Sequence, residues 1–267
     1  MQELIYPFHY HDVLGAVIRV LDDEILSVND FLPAEHRLES NDEYEFAYTC
    51  CYLRYRGKNI LLDAGFDPDT TPGALECMDV QAEDVDLVLI THGDRDHVAG
   101  LIMHDGSLTY PHARHIMSSE LWNYLSQPET LDRMPDDRAS FYRAFVRALD
   151  SEVELHDEET TIEEGITFIP NPGHRVGHVI YAFETDGTPL VYSADAFQHV
   201  LFAEHPDWPN VTDSDPDQAM ESRRQLVAKL AESHALVLAT HLPFPGMGTL
   251  SSQQGHLYCW SPVDPAT

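Results

Sequence analysis

Short apolar runs recur along this chain, and four of them end on a residue that can bind metal. Val85-Asp86-Leu87-Val88-Leu89-Ile90 leads into Thr91-His92-Gly93-Asp94-Arg95-Asp96-His97, and Ile60-Leu61-Leu62 leads into Asp63-Ala64-Gly65. Val191-Tyr192-Ser193-Ala194 leads into Asp195, and Leu236-Val237-Leu238-Ala239-Thr240 leads into His241. Runs of this kind, nearly unbroken by polar residues, predict strands buried on both faces. Residues 1–57 add strand-like pieces at Ala16-Val17-Ile18-Arg19-Val20 and Tyr48-Thr49-Cys50-Cys51-Tyr52-Leu53, with an entry loop around Asn29 to Pro33. Helical spacing appears between the runs. Ser118 or Ser119 can cap a helix carrying Leu121, Trp122 and Leu125. A second helix follows Pro135, with Phe141, Ala144, Phe145 and Ala148 on one face. A third begins near Asp215, with Pro216 in its first turn, Gln218 placed for a capping box, and Ala219, Leu226, Val227 and Leu230 as its apolar face. Helices alternating with buried strands predict an α/β fold whose sheets are covered by helices.

Open α/β sheets place their sites beyond the carboxyl ends of strands, which is where these acidic and imidazole groups fall. His92, Asp94, Asp96 and His97 lie within six residues, so one tight loop can aim them at a common point. Imidazole with carboxylate is a ligand set for Zn, Fe, Mn or Co. A solvated loop is the competing reading in a chain this acidic. The segments around it weigh against that reading, because Asn171-Pro172-Gly173-His174-Arg175-Val176-Gly177-His178 adds another His-bearing turn among the strand ends.

The loop at residues 92–97 resembles the metallo-β-lactamase superfamily signature His-x-His-x-Asp-His, with Asp94 standing where the second His usually is. Asp63-Ala64-Gly65, the Pro172-Gly173-His174 turn, Asp195 and His241 resemble the family's other segments in the same order. The resemblance spans about Lys58 to His241. It implies a four-layer αββα sandwich, α/β (α+β) in class, formed by residues 1–267 as one domain. It also implies two divalent metal ions, one held by His92, Asp94 and His174 and the other by Asp96, His97 and His241. Asp195 would bridge them. Asp63 would orient ligands from behind, and His178 would be structural near the loop. Two ions sharing a water lower its pKa toward ~7, giving a hydroxide that attacks a carbonyl or phosphoryl centre. Asp96 could relay a proton to the leaving group. The resemblance thus implies a metal-dependent hydrolase of a lactone, carboxylester or phosphotriester.

Asp94 adds a negative charge and a hard oxygen, shifting preference from Zn toward Mn or Fe. A working dinuclear site, one tight and one weak ion, and a diiron-type redox site all remain open, as does an Asp94 that points away. A weakly metal-binding, non-catalytic member is the third reading. The segment His241-Leu242-Pro243-Phe244-Pro245-Gly246 resembles the lactonase and methyl parathion hydrolase branch. His199, just beyond Asp195, is the best candidate outside the ligands for touching substrate. Phe31, Trp122, Phe197 and Phe244 are candidates for an apolar pocket, with plain core as the alternative for each. His104, His112, His115 and His205 lack the strand-end context and read as surface or packed side chains.

Composition adds an address. With 46 acidic and 15 basic residues the formal charge is −31, and Lys58 and Lys229 are the only lysines. Such a surface repels nucleic acid and anionic membranes, so a small-molecule substrate is expected, with neither nucleic acid nor membrane as partner. A homodimer stays open. No apolar stretch reaches the roughly 20 residues of a membrane span, and Met1 to Tyr6 show no leader pattern. The four Cys form no Cys-x-x-Cys pair and read as reduced thiols in a cytoplasm. The acidity fits a high-salt cytoplasm, where the Debye length is only ~3 Å at 1 M and self-repulsion is screened. The melting temperature is therefore expected to rise from dilute buffer to molar KCl. Equal melting temperatures in the two would remove the halophilic reading.

Overall fold

The structure is a computed structural model that describes residues 4–40, 42–253 and 257–263. Met1 to Glu3, part of the segment read above for a leader, lie outside the described residues. The chain divides into two compact units, Met1–Val20 with Thr49–Glu158, and Leu21–Tyr48 with Glu159–Thr267.

The first seven strands form one mixed sheet in the order of the sequence. They are β1 (Ile5–Tyr10), β2 (Val13–Ser27), β3 (Glu43–Tyr55), β4 (Lys58–Leu62), β5 (Leu87–Leu89), β6 (Arg114–Ser118) and β7 (Val153–His156). β1 with β2 and β3 with β4 are antiparallel, whereas β4, β5, β6 and β7 run parallel. Parallel strands require crossovers, and these carry the helices of this half: α1 (Thr70–Glu76), α2 (Arg95–Val98), α3 (Ser119–Ser126), α4 (Pro128–Leu131) and α5 (Asp136–Leu149). The apolar runs are buried as expected: Ile60, Leu61, Leu62, Leu87, Val88 and Leu89 expose nothing.

The remaining strands form a second mixed sheet: β8 (Thr160–Glu163), β9 (Ile166–Pro170), β10 (Val179–Phe183), β11 (Leu190–Ala194), β12 (Leu236–Ala239), β13 (Met247–Gln253) and β14 (Leu257–Pro262). Among the described residues of this sheet, only β11 and β12 pair in parallel, and the crossover between them carries α6 (Val200–Glu204) and α7 (Pro216–Ser233). The core of this unit joins Phe31, Phe46, Phe197 and Phe202 to the buried face of α7 and to Val237.

The predicted helices are present, with local differences. Ser118 caps α3 by accepting the Leu121 amide at 3.1 Å, which decides between the two candidate serines. On α5 the buried stripe is Ala139, Tyr142, Phe145 and Leu149. The expected Phe141, Ala144 and Ala148 are half-buried beside it, because Tyr142 turns inward to hydrogen-bond a loop carbonyl. On α7 the face Ala219, Leu226, Val227 and Leu230 is buried as predicted. Asp215 caps it through the Gln218 amide, while the Gln218 side chain turns to Ser222 instead of completing a capping box. The expected loop at Asn29 to Pro33 contains a single 3-10 turn, Val28–Asp30, capped by Ser27. Cys50 and Cys51 are buried free thiols, and burial pushes Cys50 up to about 12.

His115 is the packed histidine of the sequence reading, on β6 between Val88 and Val153 and wholly buried. Burial pulls its pKa from 6.5 to about 4, against a smaller opposing pull from the Ala113 backbone. The unfolded chain therefore binds the extra proton between pH 6.5 and 4. Neutral His115 contributes its stability above about 6.5, and that contribution is lost as pH falls toward 4. His115→Leu is expected to flatten this part of the profile. Urea denaturation at pH 7 and pH 4.5 should show wild type losing about 2–3 kcal/mol more than the variant. Equal losses would mean that His115 does not titrate this way.

Candidate metal centre

In the first unit, the groups of the 91–97 loop are organised by one buried carboxylate. Asp63 follows β4 with φ +58°, a left-handed conformation that a non-glycine residue adopts only at a cost. Its Oδ1 accepts the Thr91 amide at 2.8 Å. Its Oδ2 accepts the Thr91 hydroxyl at 2.7 Å and faces His97 Nδ1 at 2.7 Å. A carboxylate can only accept, so His97 carries its proton on Nδ1. The Thr91 hydroxyl spends its hydrogen on Asp63, so its lone pair must accept from His92 Nδ1, 3.0 Å away. In both rings the Nδ1 side is engaged, which turns Nε2 toward the neighbouring carboxylates. His92 Nε2 lies 3.8 Å from Asp94 Oδ2, and His97 Nε2 lies 3.4 Å from Asp96 Oδ2. Asp94 occupies the cap position of α2, yet its side chain makes no cap hydrogen bond and stands near His92 instead. Tyr142 donates to the Gly93 carbonyl, fixing the loop from the α5 side, and burial pushes that phenol up to about 12.

The second unit repeats the logic. Asp195 leaves β11 after Ala194, whose φ is +43°. Its Oδ1 accepts the Thr240 hydroxyl at 2.7 Å, and its Oδ2 accepts Gln198 Nε2 at 3.1 Å. Gln198 is held in turn by Asn210 and Thr212, both donating to its Oε1. His174 turns Nδ1 to Asp213 Oδ1 at 3.0 Å, and His241 turns Nδ1 to the Ala47 carbonyl at 2.9 Å. Each turns Nε2 to Asp195 Oδ2, at 3.3 Å and 3.0 Å, the latter a hydrogen bond. Phe46 stacks on His241 with centroids 4.1 Å apart, fixing the ring plane. Gly173, with φ +125°, lets the His174 turn dock on α7, where a Cβ would meet the Ala219 nitrogen at 2.2 Å.

A ring nitrogen and a carboxylate oxygen at these distances are held together by positive charge between them, either a proton or a metal ion. Two ligand atoms about 2.1 Å from a tetrahedral ion stand roughly 3.4 Å apart, the middle of the observed range. The donor set thus fits a divalent ion. A proton is the competitor: burial lowers the His174 pKa, but hydrogen bonds to Asp195 and Asp213 outweigh it, and the net shift is upward.

The other candidates fall differently. His178 is buried, with Nδ1 on the Asn171 carbonyl at 2.8 Å and its ring edge-on to His174. His199 is half-buried, accepts the Leu201 amide on Nδ1, and lies edge-on to Tyr44; burial pulls it down to about 4. Phe31 and Phe197 belong to the core cluster, which places them with the core alternative rather than a substrate pocket. Trp122 and Phe244 are half-buried. Sequence reasoning missed Thr91, Asp213, Gln198, Thr240 and Tyr142 as orienting groups. Thr91 and Thr240 each directly precede a candidate ligand, but a Thr there has no distinctive signal, and Asp213 sits in an acidic loop where one carboxylate looks like another.

A family model described as the metallo-beta-lactamase superfamily matches residues 43–241. Among curated proteins, the chain is 32% identical over 180 residues to the endoribonuclease ysh1 of Schizosaccharomyces pombe, covering 61% of this chain and 23% of that protein. It is 23% identical over 154 residues to a probable metallo-hydrolase of Mycobacterium tuberculosis, covering 53% of this chain and 46% of that one. The chain thus spans less than half the length of either relative. Among solved structures it is similar to the hydrolase AbOPH, with a TM-score of 0.81, 22% identity and 99% of both chains covered. It is also similar to AidC, a dizinc quorum-quenching lactonase, with a TM-score of 0.80, 19% identity and 97% of both chains covered. These likenesses show the αββα fold. The endoribonuclease relative runs against the expectation of no nucleic-acid partner, which rested on net charge alone.

Asp63→Ala is expected to weaken metal binding by about 10–100-fold, because the imidazole it orients loses its partner. Chelator competition checks this, and an unchanged affinity would refute the orienting role of Asp63. With the family's motif segments inside the matched residues and the fold shared along nearly its whole length, this chain belongs to the metallo-β-lactamase superfamily of metal-dependent hydrolases.

Proposed function

We propose that this protein is a dinuclear metal-dependent hydrolase that cleaves a lactone, carboxylester or phosphotriester. The observation that carries this reading is the arrangement shared by His92, His97, His174 and His241. Each has Nδ1 engaged and its Nε2 3.0–3.8 Å from a carboxylate oxygen. In this reading His92, Asp94 and His174 hold one ion, and Asp96, His97 and His241 hold the other. Asp195 is shared between them. Zn suits the imidazoles, and Asp94 opens the site to Mn or Fe. When bound, such a pair lowers the pKa of a shared water toward ~7 and polarises the substrate oxygen.

The chain's own groups do the rest. Thr240 and Gln198 fix the two oxygens of Asp195, so the shared carboxylate is held before substrate arrives. Asp96 is partly exposed and serves as the proton relay to the leaving group. His199, neutral at physiological pH, and the half-buried Trp122 and Phe244 are the groups proposed to meet the substrate. The protein is proposed to work in a salty cytoplasm, which its acidity and free thiols support.

Likeness to endoribonuclease ysh1 favours a second reading, hydrolysis of an RNA phosphodiester by the same site. A surface of charge −31 weighs against a polyanion, which is why the small ester comes first. The test joins metal analysis of protein purified without added metal to a panel of acyl-homoserine lactones, aryl esters, a phosphotriester and an RNA oligonucleotide. About two Zn or Mn per chain and turnover of a lactone or ester, abolished by His97→Ala with the circular dichroism unchanged, are expected. Cleavage of the RNA alone would install the second reading. Two Fe with a visible absorbance band and no hydrolysis would replace both with a redox role.

A further inference from the structure

One fully buried cation lies behind the metal ligands of the second unit. Arg223, on the inner face of α7, is 1% exposed in a chain with 15 basic residues against 46 acidic ones. Its guanidinium lies over the Phe202 ring at 5.2 Å. Its nitrogens reach four oxygens: the carbonyls of Pro206 (3.3 Å), Ala196 (3.4 Å) and Trp208 (2.8 Å), and Asp213 Oδ2 (3.4 Å). All four belong to the segment between Asp195 and α7. Asp213 uses its other oxygen to hold His174 Nδ1, and Ala196 directly follows Asp195. The same segment supplies Gln198, Asn210 and Thr212, the relay that fixes Asp195 Oδ2.

We infer that Arg223 is a positioning residue for the metal centre, acting on His174 through Asp213 and on Asp195 through the Ala196 carbonyl and the loop it organises. The inference rests on the metal-centre reading above. Three physical points support it. A buried guanidinium is costly unless its donors are used, and here one planar fork is spread over four acceptors from a single crossover segment. A carboxylate shared between a cation and an imidazole N–H is held in one orientation, and the imidazole with it. A packing role alone would be served by an apolar side chain of similar volume, without fixing Asp213.

The test is Zn(II) affinity, read by competition with a chromophoric chelator on stripped protein, together with the visible spectrum of the Co(II) form. Arg223→Met is expected to weaken one of the two ions by about 10–100-fold and to shift the Co(II) bands. Arg223→Lys is expected to recover part of the loss, since an ammonium replaces the charge but not the planar fork. Asp213→Asn offers a single acceptor oxygen to two donors, so it should weaken the same ion while preserving the fold; it carries the test if Arg223→Met does not fold. Variants that melt earlier yet keep wild-type Zn(II) affinity and Co(II) bands would overturn the inference and leave Arg223 a structural staple. Wild type that binds no Zn(II) would overturn the metal-centre reading itself, and this one with it.

Discussion

Four imidazole lone pairs aimed at carboxylate oxygens are the constraint around which the rest of this protein is arranged. Each contact needs positive charge in between, a proton or a metal ion, to be attractive. The structure keeps the contacts poised by fixing every Nδ1 elsewhere: on Asp63, the Thr91 hydroxyl, Asp213 and the Ala47 carbonyl. These outer partners are all acceptors, so they set the tautomer as well as the direction of the ring. A donor in any of these positions would put the proton on Nε2 and close that corner to metal.

The strands place the groups, and bends finish the placement. Asp63 and Ala194, at the exits of β4 and β11, both take left-handed backbone conformations without being glycine. Such strain is tolerated where surroundings over-determine the geometry. Asp63 is fully buried and receives Thr91 on both oxygens, and Asp195, which follows Ala194, is clamped by Thr240 and Gln198. Gly173 contributes differently, since its missing Cβ lets the His174 turn lie against the backbone of α7. The sheets are therefore frames whose ends are bent to a chemical purpose.

Charge acts at two scales. At the surface the excess of acid sets solvation, and it argues against polyanionic substrates without forbidding them in a family that includes an endoribonuclease. In the interior the sign changes meaning: carboxylates at the centre accept hydrogen bonds, and the buried guanidinium of Arg223 contacts the segment behind two of them. Asp94 stands between these scales. It is half-exposed, and it turns from the helix it could cap toward the lone pair of His92.

The sequence by itself determined the fold class and the candidate ligands, because both are local patterns. An apolar run ending in Asp or His can be read without knowing what lies across the sheet, and so can the cap before α7 or the serines before α3. It also determined which aromatics were candidates for a pocket, but not which were core. Phe31 and Phe197 became core residues only when chain segments far apart in sequence packed together. Asp213, Arg223 and the Ala47 carbonyl carry no local mark either. Asp213 meets His174 across 39 residues, and Ala47 meets His241 across 194. Only the tertiary structure decided these partners, because a hydrogen bond to the far side of an imidazole depends on where two strand ends meet and leaves no period or spacing in the chain.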